Sequence, residues 1–445
     1  MKQTFALMMA CLGLAQGAMA ISVTDVTARQ RWPWNNLVDI DFTLVGDGKP
    51  GERFQVGAEA VQSGTGKKLY AKTFISDPIV ESGQNRLVWD FGRDYPNLKA
   101  DDLLFSVTVR EADYENQPQY MVIDFSGGKN ATTWPVRYTS VPPVHTPKNT
   151  NDLCKLTEMW FRRVHPKGEP FNHRASTAPS SGNNYFYSRL THDYYIGIFP
   201  VTQRQWYQIT GNWLSYCSNP LWRDTRPVDM FYSNLLYGNY TTFIDTGSGT
   251  SSSVLEKLRT RTGLPTLAVP TEAQWVYALH NGPMTTNIDT YKDKDGNVIP
   301  ADECMRHSGN SGDKTAYADA TAAALCDLDT GSAAVGCYKP NVLGLYDMLG
   351  NVYEEMVDPY VTTAELKNYY TTNNVAFPVE NPTGGNSTLA KIKCGVHVRP
   401  YIHKGGFQNS ASDSKTWSFY EWGYASYIWD NAIRARGVRL CVTVE

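Results

Sequence analysis

The side chains of this chain able to carry redox or metal chemistry are its cysteines and histidines, and their spacing limits that chemistry. After Cys11 come Cys154, Cys217, Cys304, Cys326, Cys337, Cys394 and Cys441. None forms a CxxC pair and none stands at zinc-finger distance from a histidine, so structural zinc is not expected. The seven are odd in number, which leaves one thiol over if the others pair, and spacing alone does not assign partners. Of His145, His165, His173, His192, His280, His307, His397 and His403, the pair His397 and His403 could meet a metal, against a surface or hydrogen-bonded role. No Gly-x-Ser-x-Gly elbow marks a nucleophilic serine. Asp293-Lys294-Asp295-Gly296-Asn297 has acidic spacing suggestive of calcium, but no Glu stands twelfth from Asp293, so a hairpin turn at Gly296 is expected. Glu272 and Glu354 sit beside apolar rings and need partners if buried; loop backbone amides are expected for Glu272.

Recognition chemistry concentrates in 407–431. Trp417, Phe419, Tyr420, Trp422, Tyr424, Tyr427 and Trp429 crowd beside Asn409, Asp413, Glu421 and Asp430. Exposed rings with adaptable polar neighbours make good contact surfaces, and the bland alternative is that several of these rings are core. Asn409, Asp413, Trp417, Tyr420, Trp422, Tyr424 and Trp429 are the candidate ligand-binding residues.

The elements that must position these groups follow from length and pattern. A chain of 445 residues corresponds to two or three domains. Its 41 basic and 44 acidic residues give 41 − 44 = −3, spread without long runs, so no nucleic-acid partner is expected. Lys2, an apolar run and Ala18-Met19-Ala20 make residues 1–20 a secretory signal peptide, and no later stretch is long and apolar enough to span a membrane. A lipoprotein reading at Cys11 has almost no apolar segment before it. The protein is therefore expected to be exported, to a periplasm, a cell surface or the medium.

Over 21–140, short alternating runs such as Val38-Asp39-Ile40-Asp41-Phe42, 86–91, 104–109 and 134–138 predict half-buried strands and an all-β, immunoglobulin-like sandwich. A generic β module without a site of its own is the plainer alternative. Residues 141–152, rich in proline and without periodicity, predict an extended linker. Beyond them, 153–445 is dense in Trp, Tyr, Gly and Asn, with helices predicted over 252–261 and 271–280, the second opened by Thr271.

Several strings of this second half, in order, resemble the formylglycine-generating enzyme or sulfatase-modifying factor family. They are Tyr194-Tyr195-Ile196-Gly197-Ile198-Phe199-Pro200-Val201-Thr202-Gln203 with Trp206-Tyr207, then Arg226-Pro227-Val228, then Val269-Pro270-Thr271-Glu272-Ala273-Gln274-Trp275-Val276-Tyr277-Ala278. The most specific is Pro340-Asn341-Val342-Leu343-Gly344-Leu345-Tyr346-Asp347-Met348-Leu349-Gly350-Asn351-Val352-Tyr353-Glu354. Lys404-Gly405-Gly406-Phe407 and Gly437-Val438-Arg439-Leu440 resemble the family's closing strings. The resemblance covers 153–445 and implies an α+β, loop-rich fold of C-type-lectin type.

The resemblance also implies cofactors. A calcium site carries over to Asp347, Gly350, Val352 and Glu354, against a hydrogen-bonded turn without metal. The family's other cation site would begin at Asn310 and Ser311, with its Asp at 327 or 329, across a segment that departs from the family in length and composition. Formylglycine generation uses copper on two cysteines, since soft thiolates suit Cu(I). At the matching places stand Ser410 and Lys415, with Phe407 for the family's serine, and no cysteine lies between Cys394 and Cys441. Copper is thus not expected and no catalytic residue is assigned. The iron string His-x-x-x-His-x-Glu of sulfoxide-forming relatives is absent too. Hypervariable receptors made by diversity-generating retroelements resemble this chain in fold and vary the region matching 407–431.

These readings make the chain an exported binding module for a protein or glycan. The alternatives are a metal-dependent oxidase or sulfatase-modifying enzyme with altered ligands, and a surface structural protein.

Overall fold

The computed structural model describes residues 21–31, 36–45, 54–98, 102–111, 118–173, 186–215, 217–229, 236, 253–282, 291–310, 331–359, 363–382, 401–405 and 436–444. The signal peptide expected over 1–20 lies outside them. The chain divides into two compact units, one of residues 1–122 and 135–142, the other of 123–134 and 143–445.

The first unit is sheet-rich with few helices. β1 (Ser22–Gln30), β2 (Leu37–Val45), β5 (Thr73–Phe74), β7 (Gly83–Asp90) and β10 (Val136–Thr139) form one sheet in the order β1-β2-β7-β5-β10. β3 (Phe54–Gln62), β4 (Lys68–Tyr70), β6 (Ile79–Val80) and β8 (Leu103–Glu111) form the other, with β3 central. β9 (Tyr120–Asp124) straddles the unit boundary. Period-two alternation explains β2: Val38, Ile40, Phe42 and Leu44 all point into the core. Trp89 on β7 is fully buried, meets Phe105 of β8 edge-on at 6.1 Å, and donates its indole N–H to Asp94 at 2.8 Å. One large ring thus joins the two sheets.

In the second unit β11 (Glu158–Val164), β14 (Tyr194–Gly197), β20 (Cys441–Thr443) and β15 (Leu267–Ala268) lie side by side in that order. β12 (Phe171–Asn172), β13 (Tyr187–Arg189) and β17 (Val379–Glu380) form a small sheet, and β16 (Tyr353–Pro359), β18 (Tyr401–Lys404) and β19 (Arg436–Gly437) form another. Helix α1 (Gln203–Thr210) opens on a Thr202 capping box completed by Gln205, and α2 (Val254–Thr262) on Ser253. α3 (Glu272–His280) opens on Thr271 with Gln274 and is buried on nearly every face. Its Trp275 and Tyr277 share a core with Tyr194, Leu345, Met348 and Met356. α4 (Thr363–Thr372) packs Leu366 and Tyr370 on Phe186. The predicted turn is present, with Gly296 at φ 83° between the bridged Lys292 and Val298.

Two expectations of organisation change. Residues 123–134 fold with the second unit: Phe125 stacks edge-on with Trp134, which donates its backbone N–H to Arg261. The segment 141–152 is not a free linker, since from Pro143 onward it is built into the second unit. His145 donates to the Gly336 carbonyl at 3.0 Å, and the buried Lys155 ammonium holds the Thr146 carbonyl at 2.8 Å and Asp152 at 3.1 Å. Capture of polar atoms by tertiary partners leaves no hydrophobic period to read.

Candidate functional site

The three-stranded sheet carries both ends of the aromatic segment. In its register Glu354 of β16 stands opposite Lys404 of β18 on one side and Gly437 of β19 on the other. The chain leaves the sheet through Gly405 and returns at Arg436, two strand spacings apart, about 10 Å. Contacts too close for any side chain fix both ends. A Cβ on Gly405, which has φ 91°, would lie 2.8 Å from the Met348 carbonyl oxygen, and one on Gly437 would lie 2.6 Å from Val352 and 2.9 Å from the Val228 carbonyl. The Gly350 N–H donates to the Gly405 carbonyl at 2.6 Å.

Under this sheet lie two buried ion pairs. Glu354 accepts from the Trp275 indole at 2.6 Å and from Arg439 Nε at 2.9 Å on each oxygen. Arg439 also donates to the carbonyls of Gly197 at 2.7 Å and Tyr346 at 2.8 Å, so the guanidinium binds three strings of the chain together, 194–203, 340–354 and its own. In the second pair Lys404 Nζ meets Glu272 at 2.7 Å, with His173 at 3.8 Å from the same carboxylate and Ser188 at 2.9 Å from His173. Backbone amides were the partners expected for Glu272; its carboxylate pairs with a lysine, and its own N–H donates to Asp358 at 2.6 Å. Breaking such a pair leaves an uncompensated buried charge.

The turn before β16 is tied as tightly. Asp347, at φ 53°, accepts from the Gly336 N–H at 2.6 Å, and burial pushes its carboxyl up to about 6. Asn351 exchanges two hydrogen bonds with Ala333, and Asn341 donates to the Ala278 and Leu279 carbonyls at the end of α3 while accepting from Leu343 and Leu345. The long Pro-Asn string thus works as a brace.

The expected calcium ligands fit a cation poorly. Both oxygens of Glu354 are held by Arg439 and Trp275, and one oxygen of Asp347 by Gly336, so a cation would have to displace a buried guanidinium before it reached the carboxylate. At the other expected site, Asn310 accepts from the His307 N–H at 2.9 Å and donates to the Met305 carbonyl. Ser311, Asp327 and Asp329 lie outside the described residues. Among the described residues no group of three or more His, Cys, Asp or Glu side chains could hold a metal. Asn409, Asp413, Trp417, Tyr420, Trp422, Tyr424 and Trp429 lie outside the described residues, as do Phe407, Ser410, Lys415, His397, Cys326 and Cys394. His403 stands opposite Glu355 on β18.

Residues 231–427 match the model of the Sulfatase-modifying factor enzyme 1-like domain. Residues 231–427 thus carry a domain of the sulfatase-modifying factor family. The matched stretch of this sulfatase-modifying-factor domain includes α3, the 347–354 turn and most of the aromatic segment. A curated relative, the "Chaperone protein LppX" of Paenibacillus barcinonensis, is 30% identical over 181 residues, covering 36% of this chain and 61% of that protein. The chain thus spans about three fifths of the length of that curated relative. Among solved structures, Treponema denticola variable protein 1 is similar at 17% identity, covering 68% of this chain and 100% of its own, with a TM-score of 0.40. PvdO from Pseudomonas aeruginosa is similar at 13% identity over 64% and 94%, with a TM-score of 0.37.

Copper chemistry, which the sequence resemblance to this family brings in, calls for soft thiolate donors. The positions matching the copper cysteines hold a hydroxyl and an ammonium. Among the described residues Cys154, Cys217, Cys304 and Cys441 are buried free thiols and Cys337 is a half-buried one, and burial pushes Cys154 and Cys304 up to about 12 and Cys441 further. Cys441 points its thiol at Gln274, 3.7 Å away. The sequence alone did not identify Arg439 and Lys404 as the partners of the two buried glutamates; their place in the closing strings was the available signal.

Proposed function

We propose that this chain is an exported member of the sulfatase-modifying factor family that does not generate formylglycine and acts as a binding module for a protein or glycan. In this reading the first unit is an immunoglobulin-like sandwich and the second a C-type-lectin-like domain, with the aromatic residues of 407–431 as the contact surface. The observation that carries it is the double register of Glu354, which anchors both ends of the aromatic segment on one strand over a buried ion pair. Preorganised ends lower the entropy lost when a segment engages a partner. The loss of both copper thiolates supports binding over oxidation, and the chaperone description of the LppX relative favours a protein partner over a glycan.

The test is to display the mature chain against a glycan array and an extract of exported proteins, in parallel with a Trp417→Ala/Trp422→Ala variant of unchanged thermal midpoint. Ligands that bind the parent and fall at least about tenfold with the variant support the reading, since aromatic anchors dominate interface energy. Ligands held equally by both would overturn it.

A further inference from the structure

A second surface of the sulfatase-modifying-factor unit is built from arginines and rings, and it lies outside the aromatic segment. Arg204 and Tyr207 stand one turn apart on α1. After Gly211, at φ 80°, the chain doubles back and lays Trp213 on Tyr207, centroids 4.5 Å apart and planes at 17°. The 3-10 turn Arg223–Thr225 brings the Arg223 guanidinium 3.8 Å from the Trp213 centroid. Two groups that near one ring cannot share a face, so Tyr207 and Arg223 cover opposite faces of Trp213. Arg204 lies 5.6 Å from Tyr207 and 5.9 Å from Trp213.

Two cations here share one carboxylate. Asp224 lies 3.3 Å from Arg223 and 4.0 Å from Arg204, and all three side chains are about one-third exposed, at 30–35%. Each guanidinium has five N–H donors. Among the described residues only Arg223 Nε donates, to Asp224. The remaining donors form an oriented fork with surplus positive charge. Beside it Leu221 is 75% exposed, next to Trp222.

We propose that this surface docks an acidic segment of a partner protein, whose carboxylates enter the Arg204–Arg223 fork while an apolar side chain rests on Leu221. Bidentate pairing of guanidinium and carboxylate gives the contact direction, and charge complementarity raises the rate of encounter. A polysaccharide fits less well. Sugars stack on an open aromatic face, and both faces of Trp213 are taken. Asp224 is then a built-in competitor that an incoming carboxylate displaces. The proposal is independent of the aromatic segment, which the variants below leave untouched.

The test uses the full mature chain and three fluorescent probes: a peptide alternating Glu and Leu, its Gln–Leu counterpart, and oligogalacturonate, a uronate polysaccharide. Fluorescence anisotropy is read at low and high salt. The surface binds the Glu–Leu peptide, at least about tenfold more weakly in Arg204→Gln/Arg223→Gln and more weakly at high salt. Asp224→Asn tightens binding several-fold, a gain that a merely structural role for these residues does not produce. No binding of the Glu–Leu peptide, equal binding of the Gln–Leu peptide, unchanged affinity in the double variant, or preference for oligogalacturonate would overturn the proposal.

Discussion

Arg439 Nε stands 2.9 Å from both carboxylate oxygens of Glu354, and neither side chain reaches solvent. The two residues are 85 positions apart, and the backbone of Glu354 pairs with the strands that begin and end the aromatic segment. One ion pair therefore joins the core under α3 to the base of the proposed contact surface.

Removing one partner isolates a charge in the interior. Glu354→Ala is expected to lose about 3–5 kcal/mol, with a fall in thermal midpoint on the order of 10 °C. A Glu354→Met/Arg439→Met double variant, which removes both charges, is expected to recover much of that loss by calorimetry.

Gly405→Ala places a Cβ 2.8 Å from a backbone carbonyl at a φ of 91°. The expected cost is about 1–3 kcal/mol. Hydrogen exchange should show faster exchange at the Gly350 N–H, which bonds the Gly405 carbonyl, while the amides of the first unit keep their protection.

Burial lowers His280 to about 4, against an ordinary value near 6.5. The unfolded chain therefore takes up a proton between pH 6.5 and about 4 that the folded chain refuses, so stability falls as pH drops through that window. His145, also lowered by burial, acts in the same direction. His280→Gln is expected to flatten the fall in urea midpoint across this range, whereas an unchanged slope would show that the imidazole is not shielded.

Because the oxygens of Glu354 are already bonded within the protein, calcium and its chelation are expected to leave the thermal midpoint unchanged to within about 1 °C. A rise of several degrees with calcium would mean that a cation displaces Arg439.

The strands at 38–42, 86–91 and 104–109 were legible because alternation reports a half-buried sheet directly. The helix at 254–262 was legible from Val254, Leu255 and Leu258, which share one face, and that at 272–280 from Thr271, whose side chain caps it. The assignments of 123–134 and 143–152 were not legible, since those segments are held by partners distant in sequence, as Trp134 is by the Arg261 carbonyl and His145 by Gly336, 191 positions away. The need of Glu272 and Glu354 for partners was readable from their apolar neighbours. The identity of those partners was not, because Lys404 and Arg439 arrive from distant strands. The stack of Tyr207, Trp213 and Arg223 depends on the reversal at Gly211, which no periodicity encodes.

The central claim is that this family member binds and does not oxidise. It is tested most directly by titrating the mature chain with Cu(I), then supplying oxygen and a peptide carrying a sulfatase-type cysteine, with copper and aldehyde counted on the same sample. The account predicts no tightly held copper and no aldehyde, while Ser410→Cys/Lys415→Cys acquires copper at about one per chain. One tightly held copper per parent chain, with aldehyde formed, would contradict it.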